Sequence, residues 1–140
     1  MRDEIAFQDF LEDASAYLFA GDFDSYAELA CLPLCVISDL ETRVITTREE
    51  LQTSFDLIRH SFGINHVTHL IRIPQYVHRL TDGVLLGIFE THVQSDARRV
   101  VEPFESAISL RWQDERWKAA SIINPYSNLH MRQPATKPLP

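Results

Sequence analysis

The hydrophobic period changes character at Asn65. Before it, apolar residues recur every three or four positions; after it, they run in extended blocks separated by turn residues. Helical segments thus dominate the first half of the chain and extended ones the second. Phe7, Phe10, Leu11, Ala14, Tyr17 and Leu18 form one apolar stripe, predicting a helix from Asp3 to about Gly21. Glycine tolerates the left-handed conformation that ends helices. Asp22 is placed to cap a short second helix that buries Phe23, Tyr26, Ala27 and Leu29, and Pro33 stops it. Residues 34–40 and 43–46 read as short strands. Thr47-Arg48-Glu49-Glu50 is a capping box. The helix it opens carries Leu51, Phe55, Ile58 and Phe62 on one face and ends at Gly63.

Residues 66–80 read as a long strand or a bent pair of strands, with Pro74 marking an edge or a bulge. Thr81-Asp82-Gly83 is a hairpin turn, and residues 84–94 return from it. After a turn at 95–98, residues 100–112 and 117–124 form the last hairpin. Setting Trp112 opposite Trp117 puts Phe104, Ser106, Ile108, Leu110 and Trp112 on one face with Ala119, Ser121 and Ile123. Glu105, Ser109, Arg111 and Lys118 then take the other face. An even-length turn at 95–98 places Leu85, Gly87, Phe89, Thr91 and Val93 inside, and Leu86, Ile88, Glu90 and His92 outside; a bulge would exchange the sets. Residues 1–126 are expected to form one domain. Residues 127–140, polar and carrying Pro134, Pro138 and Pro140, are expected to be a mobile tail or to dock on a partner.

A chain of 140 residues suits one domain that needs no disulfide or metal to fold. Its formal charge of −7 argues against nucleic-acid binding, which calls for a basic stripe. Apolar runs are too short to span a membrane. The chain enters an amphipathic pattern at once, without a secretory core, so a cytoplasmic setting is expected. Cys31 and Cys35, spaced C-x3-C, fit neither a redox pair nor a zinc site and read as reduced, buried thiols.

The opening helix ending in Gly21-Asp22, the Thr47–Glu50 capping box and the Leu110–Lys118 hairpin with its two tryptophans resemble, in this order, the nuclear transport factor 2-like superfamily and its SnoaL-like group. The resemblance spans about residues 4–126. It implies a cystatin-like cone, a curved antiparallel sheet wrapped around N-terminal helices with a pocket in its mouth. Isomerases, dehydratases, cyclases and epoxide hydrolases share that fold with proteins that only bind or dimerise, so the fold does not choose among them. Ketosteroid-isomerase-like members carry a tyrosine donor, an aspartate base and a second acid. The matching positions here are Ala14 (with Tyr17 one turn later), Ser38 or Asp39, and Ile108. Paired pocket histidines of the dehydratase type are not matched, although His69, His78 and His92 leave room for a variant. The Phe10-Leu11-Glu12 helix also resembles small structural subunits of ring-hydroxylating dioxygenases.

Asp39 is a candidate general base or a turn residue bonded to its own backbone. Glu90 and His92 share one strand face and could cooperate in proton transfer, or form an outward polar pair. His66 and His69 have metal-like spacing, but residues three apart on a strand face opposite ways, so no metal and no cofactor is expected. Tyr17, Phe55, Phe89, Phe104, Ser106 and Asn124 are the candidate lining of a ligand pocket or, for the aromatics, plain core. Arg98-Arg99 reads as solvated charge. Three functions follow: binding a small apolar molecule, cofactor-free acid–base catalysis on a small polyketide-like or terpenoid-like substrate, or assembly as a homodimer through an outer sheet face bearing Val77, Leu86 and Ile88.

Overall fold

The computed structural model describes residues 2–125. The proposed tail from residue 127 lies outside the described residues. Helices α1 (Arg2–Ala20) and α2 (Phe23–Ala27) come first, then β1 (Ala30–Ile37), β2 (Thr42–Ile45) and α3 (Arg48–Ile64). The strands β3 (His69–Thr81), β4 (Val84–Ser95), β5 (Arg98–Arg99), β6 (Phe104–Gln113) and β7 (Arg116–Ile123) follow. Among the described residues they form one strongly curled sheet in the order β2-β1-β7-β6-β4-β3, with β5 beside β4. Every pairing is antiparallel except β1 with β7, so the sheet is mixed.

The helix boundaries follow from local chemistry. Gly21 ends α1 at φ +72°, and Arg59 of α3 donates to the orphan carbonyls of Leu18 and Phe19. Asp22 caps α2 by accepting from the Ser25 N–H at 3.2 Å. Thr47 accepts from the Glu50 N–H at 3.1 Å, and the Glu50 carboxylate reaches back to the Thr47 N–H at 3.1 Å, closing the box that opens α3. The Thr46 N–H and hydroxyl, donating to the Glu50 carboxylate at 2.9 and 2.8 Å, and after them the Thr47 N–H hold Glu50 below its usual pKa. Helix α3 runs one residue past Gly63 and is capped by Asn65.

Three expectations about the strands need correction. Strand β1 begins at Ala30, so Pro33 lies inside it rather than separating helix from strand; α2 has already ended at Ala27. A register shift between Ala30 and Cys35 gives Pro33 a place where no ladder donor is needed. In β7, a bulge at Ala120 lets Leu110 pair with Ala119 but sets Ser109 against Ser121 and Ile108 against Ile122. Ser121 and Ile123 therefore face out and Ile122 in, the reverse of the simple hairpin alternation. Val77, assigned to the outer face, pairs with inward Gly87 and packs on the core, because β3 slips by one residue near Gln75 and again near Leu80. Trp112 does oppose Trp117, with ring centroids 5.3 Å apart. The expected facing of β4 holds: Leu85, Gly87, Phe89, Thr91 and Val93 are buried while Leu86 and Ile88 are exposed. Cys31 is buried and donates to Gln113 Oε1, whereas Cys35 is only half-buried.

The core lies between α1, α3 and the concave face. Phe7, Leu11, Leu18, Leu85 and Leu110 are essentially fully enclosed. Gly87 is a packing requirement: the Phe7 ring occupies the space its Cβ would need, with Phe7 Cζ 2.2 Å from the Cβ position. Asp3 and Arg79 tie the start of α1 to β3 through two bonds of 2.6 and 3.1 Å.

Candidate functional site

The concave face is filled at the Phe7 end and hollow at the other. A cavity of about 130 Å³ lies between α1, α3 and the sheet. Phe10, Ala14 and Leu18 form its α1 wall, one helical face at three- and four-residue spacing. Ile58 and Phe62 of α3, Phe89 of β4, and Phe104 and Ile108 of β6 complete most of the apolar lining. A smaller chamber of about 80 Å³ shares Tyr26, Leu34, Ile58, Ile122 and Asn124 with it and reaches the rim, where exposed Glu41 and Arg43 pair at 3.0 Å.

Four polar side chains line the main cavity: Tyr26, Arg72, Thr91 and Asn124. Arg72 is the unusual one. It projects from β3 opposite Thr91, and its Cζ lies 5.7 Å from the Phe89 ring centroid. Its Nε is sealed from solvent and has no hydrogen-bond partner. Burial pulls its pKa down. Burial in turn pushes the Tyr26 hydroxyl up, so at neutral pH it is a proton donor. Strand β3 here inverts the usual pattern: Ile71 and Ile73, 44% and 46% exposed, point outward while the arginine between them points in.

Asn124 enters through the β7 bulge. Its backbone N–H donates to Ile37 O, and Ser106 Oγ donates to Asn124 Oδ1 at 2.6 Å. With Oδ1 taken, the Nδ2 hydrogens are what the amide offers the cavity. Among the described lining side chains there is no Asp, Glu or His, so their polar equipment is dominated by donors.

The structure brings together only part of the expected site. Phe89, Phe104 and Asn124 line the cavity. Ser106 is buried behind it and spends its hydroxyl on Asn124. Phe55 is core, packed against Phe23 and Tyr26 at centroid distances of 5.4 and 4.9 Å, and Tyr17 packs on the core without lining the cavity. Asp39 is exposed in the β1–β2 loop and borders a shallow outer groove with Ile88, Glu105 and Ile123. Glu90 and His92 meet at 2.8 Å on the outer face. His66 and His69 are exposed, and His69 Nδ1 is bonded to Thr68 Oγ1. No group of three or more metal-ligating side chains occurs among the described residues. Ala14 and Ile108, at the isomerase-like donor positions, are apolar wall.

Arg72 escaped the sequence reading, because the turn count that would place it holds only when the slips of β3 cancel. With the odd-numbered residues of β4 inward, a two-residue Asp82-Gly83 turn puts the even-numbered residues of β3 inward. The two slips in β3 cancel by Pro74, leaving Leu70 and Arg72 on the inner face. Apolar alternation alone favoured Ile71 and Ile73 instead.

No family model matches this sequence, and no curated protein does. Solved structures do resemble it. A domain of unknown function with a cystatin-like fold from Nostoc punctiforme superposes with a TM-score of 0.68 at 14% identity, over 89% of this chain and 77% of that one. A nuclear transport factor 2-like protein of unknown function from Shewanella oneidensis gives 0.67 at 13% identity, over 84% and 94%. A ketosteroid isomerase-like protein from Erwinia carotovora gives 0.63 at 12%, over 88% and 95%. The chain therefore has the nuclear transport factor 2-like α+β cone fold. Among the described residues no helix is long and apolar enough to cross a membrane.

Proposed function

We propose that the protein binds a small, predominantly apolar molecule inside the cone. One observation carries this: a cavity of about 130 Å³ lined by Phe, Leu, Ile and Ala, with a few polar groups gathered in it. A core without a ligand to hold is close-packed, and this end is not. Acid–base catalysis is the weaker choice, since Asp39, Glu90 and His92 lie outside the cavity and Ala14 and Ile108 cannot move a proton. The test uses a neutral monocyclic probe, benzyl alcohol, titrated into methyl-labelled protein and followed by NMR. Saturable shifts are expected at Leu70, Ile108 and Ile122. Unmoved methyls at these three positions would refute the binding function.

A second function, self-association through the outer sheet face, is favoured by one specific observation. Ile71, Ile73, Tyr76, Leu86, Ile88 and Ile123 are exposed there together, an apolar area that calls for cover. Light scattering at micromolar concentration should give a dimer that Ile88→Glu dissociates; a monomeric native chain ends the idea.

A further inference from the structure

We propose that the ligand of the cavity is a monoanionic carboxylic acid, its carboxylate held by Arg72 and Tyr26 and its apolar body packed on Phe89 and Phe104. This rests on the ligand-binding function proposed above and names the ligand's chemical class. A guanidinium turned into an apolar cavity is costly unless paired and hydrogen-bonded. The chain has twenty Asp and Glu side chains, and among the described residues six of them pair with a Lys or Arg and Glu90 bonds to His92, yet no such pair involves Arg72. Residues 126–140 contain no Asp or Glu that could serve instead. No side-chain carboxylate of the described residues therefore compensates Arg72, and the cavity it faces leaves room for an anion.

The surroundings narrow its chemistry. Arginine presents a planar fork that matches the two oxygens of a carboxylate. Tyr26 keeps its proton under burial and adds a neutral donor close enough to feel the charge of Arg72. Asn124, its Oδ1 occupied by Ser106, adds an N–H₂ further round the wall. One cation and neutral donors match one negative charge, whereas a phosphate dianion would leave charge uncompensated in a mostly apolar space. The remaining lining, with Phe89 and Phe104 prominent, takes hydrocarbon.

Calorimetric titration at pH 7 with benzoate and with benzyl alcohol tests this, since they share a ring and differ in charge. Benzoate is expected to bind the native protein at least about tenfold more tightly than the alcohol, the value of one charge-assisted hydrogen bond. Arg72→Met should weaken benzoate by at least about tenfold more than it weakens benzyl alcohol. Tyr26→Phe should weaken benzoate by about tenfold, since its hydroxyl donates to an ionised acceptor. Equal affinity of the two probes for the native protein overturns the carboxylate proposal while leaving the binding function standing. Failure of both probes overturns both. The native comparison decides the matter even if a variant does not fold.

Discussion

The two ends of the concave face are built on the same strands and differ in how they are filled. At one end, Phe7 projects from α1 onto Gly87 and lies among Leu85 and Leu110, leaving no room for even a Cβ. At the other, α1 offers Phe10 and Ala14, β4 offers Phe89 and Thr91, and β3 inserts Arg72 into an unfilled volume. The closed end obeys the rules of a stable core: full burial, no polar groups and complementary shapes. The open end breaks two of them by leaving a cavity and an unpaired cation. Departures of this kind, which cost stability, mark the part of a fold that serves another purpose.

That contrast predicts opposite responses to substitution. The largest effect belongs to the closed end. Gly87→Ala drives a methyl group into the Phe7 ring and should cost about 3 kcal/mol in urea denaturation, the upper range for overpacking a core. Adding Phe7→Leu to it should recover part of the loss, giving non-additive energies. A neutral Gly87→Ala would break the comparison from this side. At the open end the sign reverses. Arg72→Met removes a half-buried guanidinium whose Nε has no partner and should stabilise by up to about 1 kcal/mol. A loss of stability would show that Arg72 supports the fold rather than the cavity. Ala14→Leu, filling the same cavity from α1, should be neutral or stabilising by up to about 1 kcal/mol while blocking benzyl alcohol.

The smallest effect is seen only at alkaline pH. Burial raises the folded-state pKa of Tyr26 above its reference value of 10.0, so its contribution to stability is complete below pH 10. It is lost as pH rises from there through the folded pKa, with a slope of at most about 1.4 kcal/mol per pH unit. The denaturation midpoint of the native protein should therefore fall relative to that of Tyr26→Phe above pH 10. Parallel curves would remove Tyr26 from the enclosed site.

Much of the fold was legible because local chemistry writes it. Gly21, Asp22 and the Thr47–Glu50 box set helix boundaries through hydrogen bonds spanning three or four residues. Asp82-Gly83 and the Trp112–Trp117 pair set two hairpins. Counting residues through the 95–98 turn left two facings of β4 open, and the structure has the one an even-length turn gives. The site was less legible. Phe89, Phe104 and Asn124 were found as aromatics and a polar strand end on the inner side. Asp39, Glu90 and His92 had the right chemistry in the wrong place. Arg72 carried no signal of type, because an arginine between two isoleucines reads as the solvent face of a strand.

The sequence by itself determined the caps, the turns, the helical stripes and the order of elements, since each depends on neighbours a few residues away. Only the tertiary structure decided that β1 joins β7 in parallel, that a bulge at Ala120 turns Ile122 and Asn124 inward, and that β3 directs Arg72 rather than Ile71 into the cone. Side-chain facing in a strand has a period of two, so one unpaired residue reverses it for everything beyond. Where such residues fall is set by the curvature of the whole sheet around α1 and α3, which no short stretch of sequence contains.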